Sequence, residues 1–149
     1  MMTRLRDQLD IASTSFAGLP IEAWDRKPVS GKWSARENLA HLARYHQVFL
    51  ERLENILTKD RPKFARYRAE DDREWPAWQS LGTDTVRVRI RKLRDKVIAQ
   101  LSQLSDEQLT RTGIHPALGE MNIMQWTEFF LLHEAHHLYA ILFRLRESG

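Results

Sequence analysis

Ser34-Ala35-Arg36-Glu37 opens the run that most constrains what this chain can fold into. The serine hydroxyl can accept an orphan backbone N–H of a first helical turn while the glutamate reaches back to the amide of the capping residue. From there Leu39, Leu42, His46, Phe49, Leu53 and Ile56 alternate steps of three and four residues. Only a helix places such positions on one face, and a seam that long must be covered by other helices. The spacing predicts a helix to about Leu57.

Three further segments have helical period. Leu5, Leu9, Ala12 and Phe16 form a stripe over about Thr3 to Ala17, closed by Gly18, Leu19 and Pro20. Val86, Ile90, Leu93, Val97, Leu101 and Leu104 form another over Thr83 to Leu104. The last helix is capped by Asn122 with Gln125 and runs to about Arg146; it is apolar nearly all round, so it either sits centrally or lends one side to a partner subunit, as in a homodimer. Ser105-Asp106-Glu107-Gln108 repeats the capping pattern and starts one short turn. Residues 58–82 form a connection of about 25 residues, far longer than the 2–8 usual between bundle helices, and such a segment carries function or spans the bundle. No alternating pattern of useful length appears, so no strand is expected. The class is all-α, a four-helix bundle, and 149 residues suit one domain spanning the chain.

The absence of cysteine excludes disulfides, thiolate metal sites and a cysteine nucleophile. Any metal must be held by nitrogen or oxygen, which directs attention to the 6 histidines. Nothing near Met1 reads as a signal peptide and no run reaches the ~18 apolar residues of a membrane span, so the cytoplasm is the expected compartment. The densest basic stretch, Arg87, Arg89, Arg91, Lys92, Arg94 and Lys96, is threaded by the apolar stripe of the third helix. Those cations are expected on its solvated sides, and no nucleic-acid motif accompanies them.

His133 and His137 stand four residues apart, so both imidazoles leave one helix face about 6 Å apart and can grip one ion. They continue the stripe of Trp126, Phe130 and Ile141, where unpartnered rings would be costly. Core histidines bonded to backbone or buried acids are the plainer alternative. His133-Glu134-Ala135-His136-His137 also matches H-E-x-x-H, with Glu134 as general base, although the peptide-holding strand of that protease class is not expected here. For a third ligand the period favours His46 over His41, with His115 also available; spacing leaves the choice open.

Trp33-Ser34-Ala35-Arg36-Glu37 with His41-Leu42 is similar to the second-helix motif of the DinB-like superfamily. His115-Pro116, Gly119, Met121-Asn122-Ile123, Trp126 and His133-x-x-x-His137 resemble that family's last-helix motif. The resemblance covers essentially the whole chain. It implies an up-down-down-up bundle with a long connection between the second and third long helices. It also implies frequent homodimers and a zinc or nickel ion on one histidine of the second helix and two of the last. Carried over, the ligands are His41, His133 and His137, and His46 becomes a core residue or one that supports the ligands from behind. Three neutral imidazoles leave a coordination position open, as in catalytic sites. The implied chemistry is metal-dependent hydrolysis or S-transfer from a low-molecular-weight thiol to a small-molecule substrate. Leu138-Tyr139-Ala140 departs from the polar set that follows the last ligand in many members, so no particular substrate carries over. Glu37, Glu128, Glu134 and Tyr139 are the candidates for orienting the rings. The alternative is a non-catalytic dimeric bundle with a structural or vestigial metal site.

Overall fold

Side-chain caps set the helix starts that the sequence marks. Ser34 Oγ accepts the Glu37 N–H at 3.1 Å, and the Glu37 carboxylate accepts the Ser34 N–H at 2.8 Å. Asn122 and Gln125 exchange the same pair of bonds, both at 2.9 Å. In the computed structural model, which describes residues 1–147, the helices are α1 (Met2–Ser15), α2 (Ala35–Thr58), α3 (Trp75–Gln79), α4 (Thr83–Ser102), α5 (Asp106–Leu109) and α6 (Ile123–Arg146). Single 3-10 turns cover Ile21–Trp24 and Ala69–Asp71.

Contacts between named residues give the direction of each long helix. Arg4 meets Glu128 and Gln8 meets Glu134, so α1 and α6 run parallel. Asn38 meets His137 while Phe49 stacks on Phe130, so α2 runs against α6. Asp10 meets Arg91 while Phe16 and Arg87 share a pocket wall, so α4 runs against α1. The order is up-down-down-up, and α2 packs against both α4 and α6.

That topology explains the long connection. The 24 residues of α2 rise about 36 Å, and a parallel neighbour can start only after the chain has returned that distance. Residues 59–82 make the return along the open side of α2. Two arginines of α2 fasten them: Arg44 pairs with Asp72 at 2.7 Å and Arg52 donates to the Ala65 carbonyl at 3.1 Å. Trp75 and Trp78 of α3 are buried against the bundle.

Two expectations are corrected. Strands do occur: Thr112–His115 (β1) and Gly119–Asn122 (β2) form an antiparallel hairpin, and Lys63 bridges to Ile114. The segment is too short to show a period of two, and it pairs because Gly119 takes a positive φ of 76° at the turn. Arg94 is not solvated with its basic neighbours; it is buried, 4% exposed, and ion-paired inside the bundle. Among the described residues no helix is long and apolar enough to cross a membrane.

Candidate metal centre

His41 sits two turns into α2, and His133 and His137 sit one turn apart near the middle of α6. Because α2 and α6 are antiparallel, the three rings meet: one ligand atom from each lies within 4.8 Å of the other two. His41 Nε2 and His133 Nε2 are 3.1 Å apart. Two nitrogens bound ~2.0–2.1 Å from one ion at a near-tetrahedral angle would lie about 3.3 Å apart, so the spacing fits a shared cation. His41 Nδ1 and His133 Nδ1 have no partner, which makes the cluster an under-satisfied polar site.

The protonation states suit metal binding. Burial pushes His41 down to about 3, with His137 adding to the shift, and pushes His133 down to about 2, with its histidine neighbours adding to it. Burial and His136 lower His137 to about 4. All three imidazoles are therefore neutral at ordinary pH and offer lone pairs.

Packing and one hydrogen bond fix the rings. His41 lies against Trp33 and Tyr67, at 4.9 and 5.7 Å between centroids, and His133 lies 4.1 Å from Tyr45. Asn38 Oδ1 accepts from His137 Nδ1 at 2.8 Å. The Asn38 amide cannot be reversed, because its Nδ2 donates to the Ser34 carbonyl at 2.9 Å. His137 Nδ1 thus carries the proton, and Nε2 is left as the ligand atom. Asn38 and Tyr45 were legible as neighbours of His41 on one α2 face, three residues before it and four after; the aromatic walls from residues 33 and 67 were not.

None of the four residues expected to orient the rings does so. Glu37 is occupied by its own cap, by Lys27 and by Gln79. Glu128 pairs with Arg4, and Tyr139 is exposed. Glu134 points away from the cluster: one residue on from His133 is a turn of about 100°. It is fully buried, bonded to Gln8 of α1 and Arg94 of α4, and lies 3.5 Å from His46 Nε2. Burial raises its carboxyl, and Arg94 and Gln8 oppose that rise. A carboxylate so engaged cannot reach the cleft, so Glu134 is not a general base and the protease pattern is coincidental. His46, wholly buried, bonds the Leu42 carbonyl at 2.7 Å and is lowered to about 3 by burial and Arg94. It is a core residue. His136 is exposed, and its ring packs 5.2 Å from that of His137.

A cleft of about 700 Å³ opens in front of the three histidines, walled by Tyr45, Tyr67, Arg52, His115 and Phe129. The return segment supplies one side of it and the hairpin another.

The chain belongs to the DinB superfamily, whose model matches residues 4–141. It is 26% identical over 133 residues to the uncharacterized protein YuaE of Bacillus subtilis, covering 81% of this chain and 82% of that one. It is 29% identical over 142 residues to a protein of Oceanobacillus iheyensis named a "putative metal-dependent hydrolase", covering 94% of this chain and 81% of that one. The backbone matches YfiT from Bacillus subtilis, described as a probable metal-dependent hydrolase with an unusual four-helix bundle topology. That match has a TM-score of 0.78 at 19% identity and covers 97% of this chain and 82% of YfiT.

Proposed function

We propose that His41, His133 and His137 hold one divalent metal ion, zinc or nickel, and that the protein is a metal-dependent hydrolase acting on a small molecule. The observation that carries this reading is the convergence of three neutral imidazoles at the floor of an open cleft. No fourth histidine, aspartate or glutamate joins the cluster among the described residues. Imidazole donors suit zinc and nickel, and an ion held by three of them supplies Lewis acidity at its remaining position. The protein's own contribution is orientation: Asn38 sets the tautomer of His137, and Trp33, Tyr45 and Tyr67 hold the other two rings. The same aromatic walls exclude bulk water from the sides of the site. A non-catalytic bundle with a structural ion would be expected to close its site, and the cleft argues against that alternative.

The reading includes a cytoplasmic homodimer. Its support is a strip on α6, where Met124, Leu132, Tyr139 and Phe143 fall within about 100° of one another and are all exposed. Such a strip is the usual mark of a protein–protein contact.

The test is elemental analysis of protein prepared without a histidine tag, followed by assays of ester and amide hydrolysis and of thiol conjugation with and without metal. One equivalent of zinc or nickel, lost in H41A, H133A and H137A, with hydrolysis that depends on it, is the expected result. Metal retained by all three variants would overturn the site. Thiol conjugation in place of hydrolysis would reassign the reaction.

A further inference from the structure

We propose that the cleft carries an oxyanion subsite, formed by Arg52 with His115, that takes a carboxylate or phosphate group of the substrate. The proposal rests on the metal-site reading above for the other end of the same substrate.

The observation behind it is a buried cation without a counterion. Three arginines are buried: Arg44, Arg52 and Arg94, at 7%, 6% and 4% exposure. Arg44 pairs with Asp72 and Arg94 with Glu134. Arg52 has no carboxylate within ion-pair reach among the described residues. It donates to the Tyr45 hydroxyl and the Ala65 carbonyl, each at 3.1 Å. Its guanidinium stands over Trp126, Phe64 and Tyr45 at 5.3, 5.6 and 5.8 Å from the ring centroids. Aromatic faces compensate a buried cation only in part, and a guanidinium does not escape the cost by losing its proton. Each terminal nitrogen keeps one N–H that these two bonds do not use, the residue lines the cleft, and an oxyanion is the natural complement of such a cation.

His115 adds a neutral donor. Its Nδ1 accepts the backbone N–H groups of Ala117 and Leu118, at 3.1 and 3.0 Å, so the proton of the neutral ring lies on Nε2. That N–H has no protein acceptor among the described residues. Burial, Arg52 and Arg66 all lower His115, which keeps it in this neutral form. The ring packs 5.6 Å from Trp126, the same indole that lies under Arg52, and 5.0 Å from Phe129, one turn before His133. The rest of the lining agrees in sign, since Arg66 and Arg68 stand against one carboxylate, Glu70.

The distance from subsite to histidines defines the ligand. The Tyr45 hydroxyl touches Arg52 and its ring touches His133, so one tyrosine separates the two. A short molecule with an oxyanion at one end and its reactive centre a few bonds away spans both.

The test is titration with succinate and with inorganic phosphate, followed by tryptophan fluorescence, on chelator-treated and on zinc-loaded protein. The variants are Arg52→Met, which keeps the stem over the aromatic rings, and His115→Asn, which keeps an acceptor for the two backbone amides and removes the Nε2–H together with the ring edge that carries it. The proposal expects saturable binding of at least one probe by the metal-free protein, weakened tenfold or more in both variants, with zinc content unchanged. Which probe binds separates a carboxylate subsite from a phosphate one. Binding of neither, or binding unchanged in H115N, would overturn the subsite; H115N decides the matter if R52M fails to fold. Failure of the wild-type protein to take up zinc would defeat the metal reading alone, because the metal-free titration judges the subsite separately.

Discussion

His133 and Glu134 are adjacent on one helix, and their surroundings could hardly differ more. His133 sits in a cluster in which three neutral rings converge at the floor of a cleft, with the Nε2 atoms of His41 and His133 facing each other. Glu134 sits at the centre of the bundle, where Gln8, Arg94 and His46 bring side chains from α1, α4 and α2 onto it. The Glu134 carboxylate, bonded from two other helices, pins the bundle, whereas the converging rings open on a cleft that a ligand can enter. The rotation of about 100° between consecutive residues is enough to separate the two roles.

Exchanging the phenotypes of these two residues would break the comparison. The largest effect is expected for Glu134→Ala, which strands the Arg94 charge in the core and should cost about 3–5 kcal/mol of stability. Thermal unfolding checks it, and the folded fraction of the variant should still take up zinc in the wild-type ratio. A stable E134A that binds no metal would invert the assignment.

Asn38→Leu sharpens the metal side. Losing the group that orients a ligating histidine typically weakens metal affinity 10–100-fold, and a competitive chelator titration would read that change. The same substitution leaves the His137 Nδ1–H without its acceptor and should lower stability by about 1–3 kcal/mol.

The pH dependence follows from the histidines. His41, His133 and His137, and with them the core residue His46, are lowered to about 3, 2, 4 and 3 in the folded chain against an ordinary 6.5. The unfolded chain therefore binds more protons below pH 6.5, and the metal-free protein loses stability as pH falls through that window toward 4. A drop in Tm of about 10–20 °C between pH 7.5 and 5.5 is expected for metal-free protein. Zinc at saturating concentration should raise Tm most at the upper end, because protons compete with the ion for the same nitrogens.

Glu128→Gln should do least. Its pair with Arg4 is about half exposed, and a change within about 0.5 kcal/mol, with unaltered zinc uptake, would confirm that this acid plays no part in the site.

Much of this organisation was legible in the sequence because helices announce themselves locally. Ser34 with Glu37 and Asn122 with Gln125 cap the helices they were expected to cap, and the seam from Leu39 to Ile56 is buried apart from its polar flanks. The three histidines that the family motif singles out do converge, whereas periodicity alone favoured His46. That preference failed for a physical reason: the apolar stripe marks the driest part of the core, and a metal site needs the flank of the stripe, where a cleft can reach. The hairpin at 112–122 was hidden because four-residue strands carry too little pattern. Arg94 and Glu134 were hidden because a buried ion pair looks, in sequence, like two surface charges. The Arg52–His115 pair was hidden because it depends on a return segment and a hairpin meeting over α2.

The most direct measurement is anomalous X-ray diffraction at the zinc edge from crystals of the zinc-loaded protein. The account predicts one peak per chain, within bonding distance of nitrogen atoms of His41, His133 and His137 and open to the cleft. A peak on other residues, or a zinc-loaded crystal with no peak between these three rings, would contradict it.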